Sequence, residues 1–473
     1  MGALPDGFGL VLDPSLRRFR HGSVLAGGRP GRILTLTPDG ARALDALVAG
    51  GSADTATRTL AGRLVAGGMA HPRRPTVPDA PTSDAPKVTV VVPVRDRVDS
   101  LERCLASLGR DVPVVVVDDA SDDPASVAAV CRRHGARLVR RAVNGGPGAA
   151  RDSATGSVTT ELVAYVDSDC TVPDGWLDGL VWQFGDPGIG GVAPRVRPSP
   201  VAPERRRWVV HRFGLAHSPL DLGPDEGEVG PDSAVRYVPT AALVVRRTAL
   251  DAVGGFDPTL RVGEDVDLVW RLVGAGWRIR YDPSVEVSHR EPDRWPDLLA
   301  RRLRYGTSAA PLAVRHPGRL APVELHPRAT VAAVALLAGR PVAAAVAVAS
   351  SAAPLARTVR PSGIPAVQAW RWSAAGAAWT VMGLGRAATM LAAPGLVGLA
   401  ATGRRGRRAA AALVLVPPIV DWVRNRPDLD LARWVAASVA DDMAYGAGVW
   451  IGCLRARSGS ALLPAIVRRS DES

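Results

Sequence analysis

Three almost uninterrupted apolar segments, separated by helix-like patterns, constrain the fold of this chain more than any other feature. The segments are VTVVVPV (88–94), VPVVVVDD (112–119) and ELVAYVDSD (161–169). Strands that are apolar at every position are buried on both faces, and helices between them indicate a parallel sheet covered on both sides. The sequence therefore predicts an α/β domain. Its ligands would bind beyond the carboxyl ends of the strands.

Acidic residues follow two of these predicted strands. On an extended strand, residues i and i+2 point the same way, so Asp167 and Asp169 are expected to face one cleft. Paired carboxylates favour a bound cation, and oxygen ligands suit Mg²⁺ or Mn²⁺, which bridge to phosphate oxygens. Asp118 and Asp119 end the neighbouring strand and can accept hydrogen bonds from a base or a ribose. A single DxD pattern is common at solvated strand ends, so the metal site depends on the other motifs.

Three further motifs carry polar chemistry. NGGPGAARDSA (144–154) is a Gly-rich turn that leads into a helix, whose N-terminus would suit phosphate, and it contains Arg151. In RVGEDVDLVWRLVGAGW (261–277), acidic residues open an amphipathic helix, where negative charge is favourable: Glu264, Asp265 and Asp267. A carboxylate beside an activated phosphate leaving group can deprotonate an incoming hydroxyl. His289 follows a short strand and is a candidate metal ligand or phosphate contact, although alone it would be read as structural.

In this order the motifs resemble the family 2 glycosyltransferases of the GT-A fold, over about residues 88–290. The resemblance implies transfer of a sugar from a nucleotide-sugar, usually UDP-linked, with inversion at the anomeric carbon. It also implies a role for each matched residue: Pro93 and Arg95 near the nucleotide, Asp119 or Asp118 on uridine, Arg151 on the base or diphosphate, Asp167 on ribose or metal, Asp169 on the metal, His289 on metal or diphosphate, and Asp265 as the base that activates the acceptor.

The whole layout is similar to the mycofactocin-system glycosyltransferases of actinobacteria. That resemblance implies transfer from UDP-glucose to the peptide-derived redox cofactor mycofactocin, in β-1,4-linked units. Processive relatives carry QxxRW about forty residues beyond an acidic pair that matches Glu264 and Asp265. At that place this chain has RRLRY (301–305), with Arg304 and Tyr305. If these two do the same work, several sugars are added; otherwise a single transfer is expected. A literal QAWRW (368–372) is too far from Asp265 and is interpreted as coincidence.

Two other functions remain open. A polysaccharide or glycolipid glycosyltransferase would use the same core and differ in its acceptor. A non-enzymatic binding protein would leave the ordered acids unexplained.

The predicted domains follow the changes in composition. Residues 1–73 read as short strands followed by helices and resemble a small winged-helix domain, which either only packs or captures a peptide by strand addition. Within it, Thr37 can cap and Pro38 can open a helix that Gly50 and Gly51 close. Residues 74–87 are a Pro-rich linker, 88–308 the transferase domain, and 309–473 an Ala/Arg-rich helical region.

Charge is unevenly distributed along the chain. The net charge is +12, but residues 301–473 hold 22 arginines against 8 acidic residues, a net of +14. The N-terminal arginines form no dense stripe, so no nucleic acid is expected as a partner. The C-terminal helices either form a soluble bundle or lie on an anionic bilayer. The longest uncharged runs, 341–356 and 387–403, are shorter than the ~18–20 residues of a spanning helix.

Cysteine usage and the N-terminus bear on location. The four cysteines lack CxxC spacing and fit reduced thiols, and no signal peptide is recognised. We therefore expect a cytoplasmic protein at the inner face of the membrane.

Overall fold

The computed structural model describes residues 3–28, 31–75, 86–200, 203–206 and 208–467. It divides into two compact units, residues 1–200 with 218–290, and residues 201–217 with 291–473. The predicted domain bounds at 74, 88 and 309 remain predictions, and most of the predicted Pro-rich linker, 76–85, lies outside the described residues.

The N-terminal segment consists of short strands followed by two helices. In chain order its elements are β1 Gly9–Leu12, β2 Arg17–Phe19, β3 Val24–Gly27, β4 Arg32–Thr35, α1 Pro38–Val48, α2 Arg58–Ala66 and β5 Ala70–Arg73. β1 pairs with β5, and β2, β3 and β4 form an antiparallel sheet. Helix α1 begins where its capping signal predicts, because Thr37 Oγ1 accepts a hydrogen bond from the Gly40 N–H (3.1 Å) and Pro38 occupies the first turn. Fully buried leucines on both helices and on β3 give this segment its own small core.

Strands and helices alternate through the next part of the chain. The elements are β6 Val88–Val94, α3 Val98–Leu108, β7 Val114–Asp118, α4 Pro124–His134, β8 Arg137–Arg140, α5 Pro147–Thr155, β9 Leu162–Val166, β10 Cys170–Thr171, α6 Trp176–Val181, β11 Ile189–Pro198, α7 Pro203–Arg206, α8 Val209–Ala216, β12 Gly227–Val229, β13 Ala242–Arg246, α9 Arg247–Val253, α10 Glu264–Gly274 and β14 Arg278–His289.

Among the described residues these strands form one nine-stranded sheet in the order β10-β14-β11-β13-β9-β6-β7-β8, with β12 also on β14. The predicted parallel sheet is confirmed for β9, β6, β7 and β8. Beyond β9 the sheet is mixed, because β13 runs antiparallel to both β9 and β11. The carboxyl ends of β6, β7 and β9 therefore lie together at one edge.

Helices pack on this sheet through apolar residues at helical spacing. On α3 the buried positions are Leu101, Cys104, Leu105 and Leu108, as expected for a helix with one apolar stripe. Helix α4 has capping residues at both ends. Asp123 accepts a hydrogen bond from the Ser126 N–H, and Gly135 ends the helix at φ 68°, where a glycine carries no Cβ penalty. These helices cover the core that supports the acidic edge.

The second unit is helical apart from one short strand pair. Besides α7 and α8 it contains α11 Trp295–Gly306, α12 Ala309–Arg315, β15 Glu324–Leu325, α13 Pro327–Leu337, α14 Pro341–Val359, α15 Ala366–Leu391, α16 Ala393–Ala401, α17 Arg404–Asn425, α18 Leu431–Ala456 and β16 Ala465–Ile466. Helices α11 and α18 approach closely, since a Cβ on Gly448 would lie 1.9 Å from the Leu303 carbonyl oxygen.

One helix of the described residues is long and apolar enough to cross a membrane. It covers Pro341–Ser362, α14 and the turn after it, with a mean hydropathy of 1.5. Helices α15 and α16 pass the same test only as a pair that is bent by 106°. The sequence predicted a shorter apolar run here because Arg357 ends the uncharged stretch, whereas the helix continues to Val359.

Candidate active site

The acidic segment after β9 is a turn rather than an extended strand. β9 ends at Val166, and the Cys170 N–H donates a hydrogen bond to the Asp167 carbonyl (2.9 Å). The premise that Asp167 and Asp169 share an extended strand is therefore wrong, and the i, i+2 rule does not apply to them. That both face one cleft stays a prediction. The two carboxylates instead have different partners.

Asp169 lies between a histidine and an arginine. β10 pairs with the end of β14 so that Cys170 is opposite His289, and the imidazole Nε2 is 3.6 Å from Asp169 Oδ1. Arg97, at the start of α3, forms an ion pair with the other carboxylate oxygen. Asp169 and His289 are both largely buried, whereas Arg97 is 58% exposed. The two candidate metal ligands, Asp169 and His289, therefore lie side by side, and their role as ligands stays a prediction.

Asp167 is bound by Arg151, which is 2% exposed. One guanidinium nitrogen of Arg151 is 2.5 Å from Asp167 Oδ1, and another is 3.1 Å from Glu264 Oε1. The guanidinium also lies over the Phe256 ring, 5.7 Å from its centroid. Arg151 therefore joins the turn after β9 to the first residue of α10. The contact of Arg151 with the base or the diphosphate, which the resemblance implied, stays a prediction.

The three acids of α10 have different surroundings. Glu264 is 7% exposed, and burial together with the charge of Asp265 raises its pKa to about 7. Burial also raises the pKa of Asp265, while Arg151 opposes that increase. Asp267 is 2% exposed and accepts a hydrogen bond from Arg271 Nε (2.7 Å), one turn along the same helix. Of these three carboxylates, Asp265 is therefore the one to which no arginine is hydrogen-bonded among the described residues.

Asp118 and Asp119 organise the loops beside the sheet edge. Asp118 is fully buried and accepts a hydrogen bond from the Ser121 N–H (2.8 Å). Asp119 accepts hydrogen bonds from the N–H groups of Gly145 (3.0 Å) and Gly146 (2.8 Å), and so holds the Gly-rich turn against the end of β7. Each oxygen of Asp119 has a second lone pair, so these contacts leave it acceptor capacity for a ligand. Asp118, in contrast, also accepts a hydrogen bond from Arg140 (3.3 Å) and has no exposed side-chain surface.

The remaining predicted residues lie in two places. Pro93 is buried on β6 opposite Val117 of β7, and Arg95 follows β6 with its side chain 47% exposed and 3.3 Å from Asp96. Arg304 and Tyr305 lie on α11, in the second compact unit, where Arg304 is exposed. The QAWRW segment lies within α15.

The residues present fit a divalent cation of the kind that binds nucleotide-sugars. Among the described residues no group of three His, Cys, Asp or Glu side chains is placed to hold a metal ion. Mg²⁺-type sites usually take one or two protein ligands and complete their shell with water and substrate phosphates. The Asp169 carboxylate is a ligand of this kind, and the His289 imidazole beside it is a nitrogen donor.

Sequence reasoning missed two residues of this site. Arg97 could have been found, because it is a cation just beyond the carboxyl end of β6, at the same edge as the acids. Gly148 could not, because its importance lies in packing. A Cβ there would be 2.9 Å from Glu264 Cγ, so only glycine lets α5 approach α10 this closely.

Comparison with known proteins identifies the family of this chain. Residues 89–253 match the family model described as glycosyl transferase family 2. The "pre-mycofactocin glycosyltransferase" of two Mycobacterium tuberculosis strains is 37% identical over 493 aligned residues, which cover 98% of both chains. An N-acetylglucosaminyl-diphospho-decaprenol L-rhamnosyltransferase of the same species is 30% identical, over 40% of this chain and 72% of that one.

Among solved structures, a mannosyltransferase from Pyrobaculum calidifontis in complex with GDP-Man and Mn²⁺ aligns with a TM-score of 0.39 at 21% identity, over 74% of this chain and 89% of that one. The family match and the near-complete alignment with the mycobacterial relatives establish that this chain belongs to glycosyltransferase family 2 and is a glycosyltransferase with a GT-A-like fold.

Proposed function

We propose that this enzyme transfers glucose from UDP-glucose to pre-mycofactocin, a peptide-derived acceptor, with inversion at the anomeric carbon. The acceptor is the one named for the mycobacterial relatives, and the alignment over 98% of both chains supports it. The observation that carries the chemistry is the pair of contacts made by Arg151, which joins Asp167 and Glu264 into one charged cluster. Asp265 interacts electrostatically with both Arg151 and Asp167, so it belongs to this cluster.

The donor would bind along the edge formed by β6, β7 and β9. In this proposal Asp118, Asp119, Pro93 and Arg95 surround the uridine, and Asp167 contacts the ribose. Asp169 and His289 would hold Mg²⁺ or Mn²⁺, which would neutralise the charge of the leaving diphosphate.

Two arginines support the donor site in different ways. Arg97 is half-exposed beside Asp169, which allows it to contact the diphosphate. Arg151 is buried and already binds two carboxylates, so we assign it the orientation of Asp167 and Glu264 instead.

Asp265 is the proposed base that accepts the proton of the acceptor hydroxyl. Burial raises its pKa, and a less acidic carboxylate is a stronger base in its ionised form. Glu264 and Asp267 have positioning roles, because each holds an arginine. The first binds Arg151 and the second binds Arg271, which also donates hydrogen bonds to the carbonyls of Val253 and Gly255. These contacts fix the start of α10 beside the turn at residues 254–257.

The acceptor is tested by incubating the full chain with labelled UDP-glucose, Mn²⁺ and either pre-mycofactocin or an extract of isoprenoid-linked sugars. We expect label in the peptide-derived product, released with UDP. Label only in the lipid fraction would instead favour a glycolipid transferase. That alternative draws on the exposed apolar helices of the second unit and on the alignment with the decaprenol-linked rhamnosyltransferase.

The number of sugars added is a separate question. We propose that Arg304 and Tyr305 do the work of QxxRW and that several β-1,4-linked units are added. An Arg304→Ala variant would then give shorter products at unchanged first-transfer rates, measured by mass spectrometry. Products of equal length would remove this role.

We also propose that the enzyme is cytoplasmic and associates with the inner face of the membrane. The cytoplasmic location is supported by the proposed donor, UDP-glucose, which is ionised. Membrane association is supported by the basic C-terminal half of the chain. Carbonate extraction of cell membranes distinguishes peripheral from integral attachment.

A further inference from the structure

The segment from 325 to 420 has an unusual charge. It contains ten arginines and no aspartate or glutamate. All ten arginine side chains are exposed: Arg328, Arg340, Arg357, Arg360, Arg371, Arg386, Arg404, Arg405, Arg407 and Arg408. Helices α13 to α16, and α17 as far as residue 420, therefore carry no carboxylate of their own, although Arg386 pairs with Asp421 just beyond this segment.

The apolar residues of α13 and α14 are arranged opposite to those of a soluble helix. Apart from Val359 at the end of α14, their buried positions are alanines: Ala332, Ala333, Ala344, Ala347 and Ala352. Their larger side chains point outward and are 54–77% exposed: Val331, Val334, Leu336, Val342 and Val346.

A soluble helix turns its large apolar residues toward the core. Helices in lipid instead pack through small residues and face the hydrocarbon with larger ones. The two helices follow the second pattern, and they are joined by only three residues, 338–340.

The flanking residues agree with a lipid environment. Helix α14 is about 28 Å long at 1.5 Å per residue, and arginines stand at both of its ends, Arg340 before it and Arg357 in its last turn. Trp370 and Trp379 of the next helix are 44% and 57% exposed. Exposed Trp and Arg beside an apolar helix are typical of membrane interfaces.

We propose that the outward face of α13 and α14 inserts into the hydrocarbon of an anionic bilayer, with the exposed arginines on lipid phosphates. A second copy of the chain is a poorer occupant, because it would bring a surface of the same positive charge. A nucleic acid would match the arginines but would leave the valines and leucines uncovered. This inference deepens the proposed membrane association and does not depend on sugar transfer.

The test is flotation of the full-length protein with vesicles of phosphatidylglycerol and phosphatidylcholine, or of phosphatidylcholine alone. We expect strong binding to the anionic vesicles and weaker binding to the neutral ones. A Val342→Asn/Val346→Asn variant should bind anionic vesicles at least about tenfold more weakly, given the free energy of burying valine in an apolar medium.

Val143→Asn is the matched control. Val143 is 74% exposed in the other compact unit, against 77% for Val342, so it has the same chemistry without the proposed contact. Because both valines are exposed, the double variant should keep its fold and its activity on soluble acceptor without lipid.

Equal vesicle binding by the double variant and the wild type would overturn the proposal. So would a wild-type dimer that the double variant abolishes, seen by light scattering, with no vesicle binding by either protein. Salt-sensitive retention on DNA without flotation would overturn it in favour of nucleic acid. Loss of sugar transfer with normal flotation would instead count against the proposed function alone.

Discussion

A Glu264→Gln substitution tests the charged cluster that joins the Gly-rich helix to α10. Glu264 is 7% exposed, and its pKa is raised from 4.5 to about 7 by burial and by the charge of Asp265. A raised pKa means that the folded protein binds this proton more tightly than the unfolded chain. The resulting stabilisation is complete below pH 4.5 and is lost as the pH rises through 7.

The magnitude follows from the two pKa values. At about 1.4 kcal/mol per pH unit, the full effect is about 3 kcal/mol, of which roughly 2.5 kcal/mol falls between pH 5 and pH 8. Glutamine keeps the size of the side chain but does not titrate. The difference in unfolding free energy between wild type and Glu264→Gln should therefore fall by roughly 2.5 kcal/mol from pH 5 to pH 8.

The assay is urea unfolding of both proteins at these two pH values. Glu161→Gln is the control, because Glu161 carries an exposed carboxylate that pairs with Arg246. Its effect should be nearly the same at both pH values. If Glu264→Gln also shifted stability equally at pH 5 and pH 8, Glu264 would not be buried beside Asp265 and the cluster would be misplaced.

Three other substitutions test different parts of the structure. Gly148→Ala should destabilise the fold by about 1–3 kcal/mol and lower kcat, because the added Cβ would meet Glu264. A Cβ at Gly156 would meet nothing within 4 Å, so Gly156→Ala should melt like wild type. Equal melting temperatures for the two variants would contradict this packing. Asp169→Asn should lose Mn²⁺-dependent UDP binding, measured by calorimetry, whereas the exposed control Asp174→Asn should keep it. Retained binding by Asp169→Asn would show that Asp169 is not a metal ligand. Asp441→Asn should cost about 3 kcal/mol, because Arg302 Nε lies 2.8 Å from this buried carboxylate, and an unchanged urea midpoint would show that the pair contributes little.

Local signals in the sequence predicted the elements that depend on neighbouring residues. Thr37 and Pro38 located the start of α1, and the continuous apolar runs located β6, β7 and β9. These features are fixed within a few residues of the chain, so propensity and capping suffice to find them. The acids at the ends of β7 and β9 could be placed at one edge for the same reason.

Features that depend on distant residues could not be predicted in this way. The turn after β9 and the pairing of β10 with β14 bring Asp169 to His289, and neither follows from the acidic motif itself. The burial of Arg151 depends on the approach of α5 to α10, which tertiary packing determines. In the Ala-rich helices, composition could not distinguish a soluble bundle from a lipid-facing one. The observed orientation of alanines inward and most larger apolar side chains outward is the observation on which the proposed lipid contact rests.

The central claim is that Asp265 accepts the proton of the acceptor hydroxyl. The most direct measurement compares Asp265→Asn with wild type for two quantities, product formation from UDP-glucose and UDP binding in the presence of Mn²⁺. We predict that kcat falls by a factor of about a hundred or more while UDP affinity stays unchanged, and that Asp251→Asn, on the exposed face of α9, affects neither. Turnover by Asp265→Asn at the wild-type rate would contradict the account.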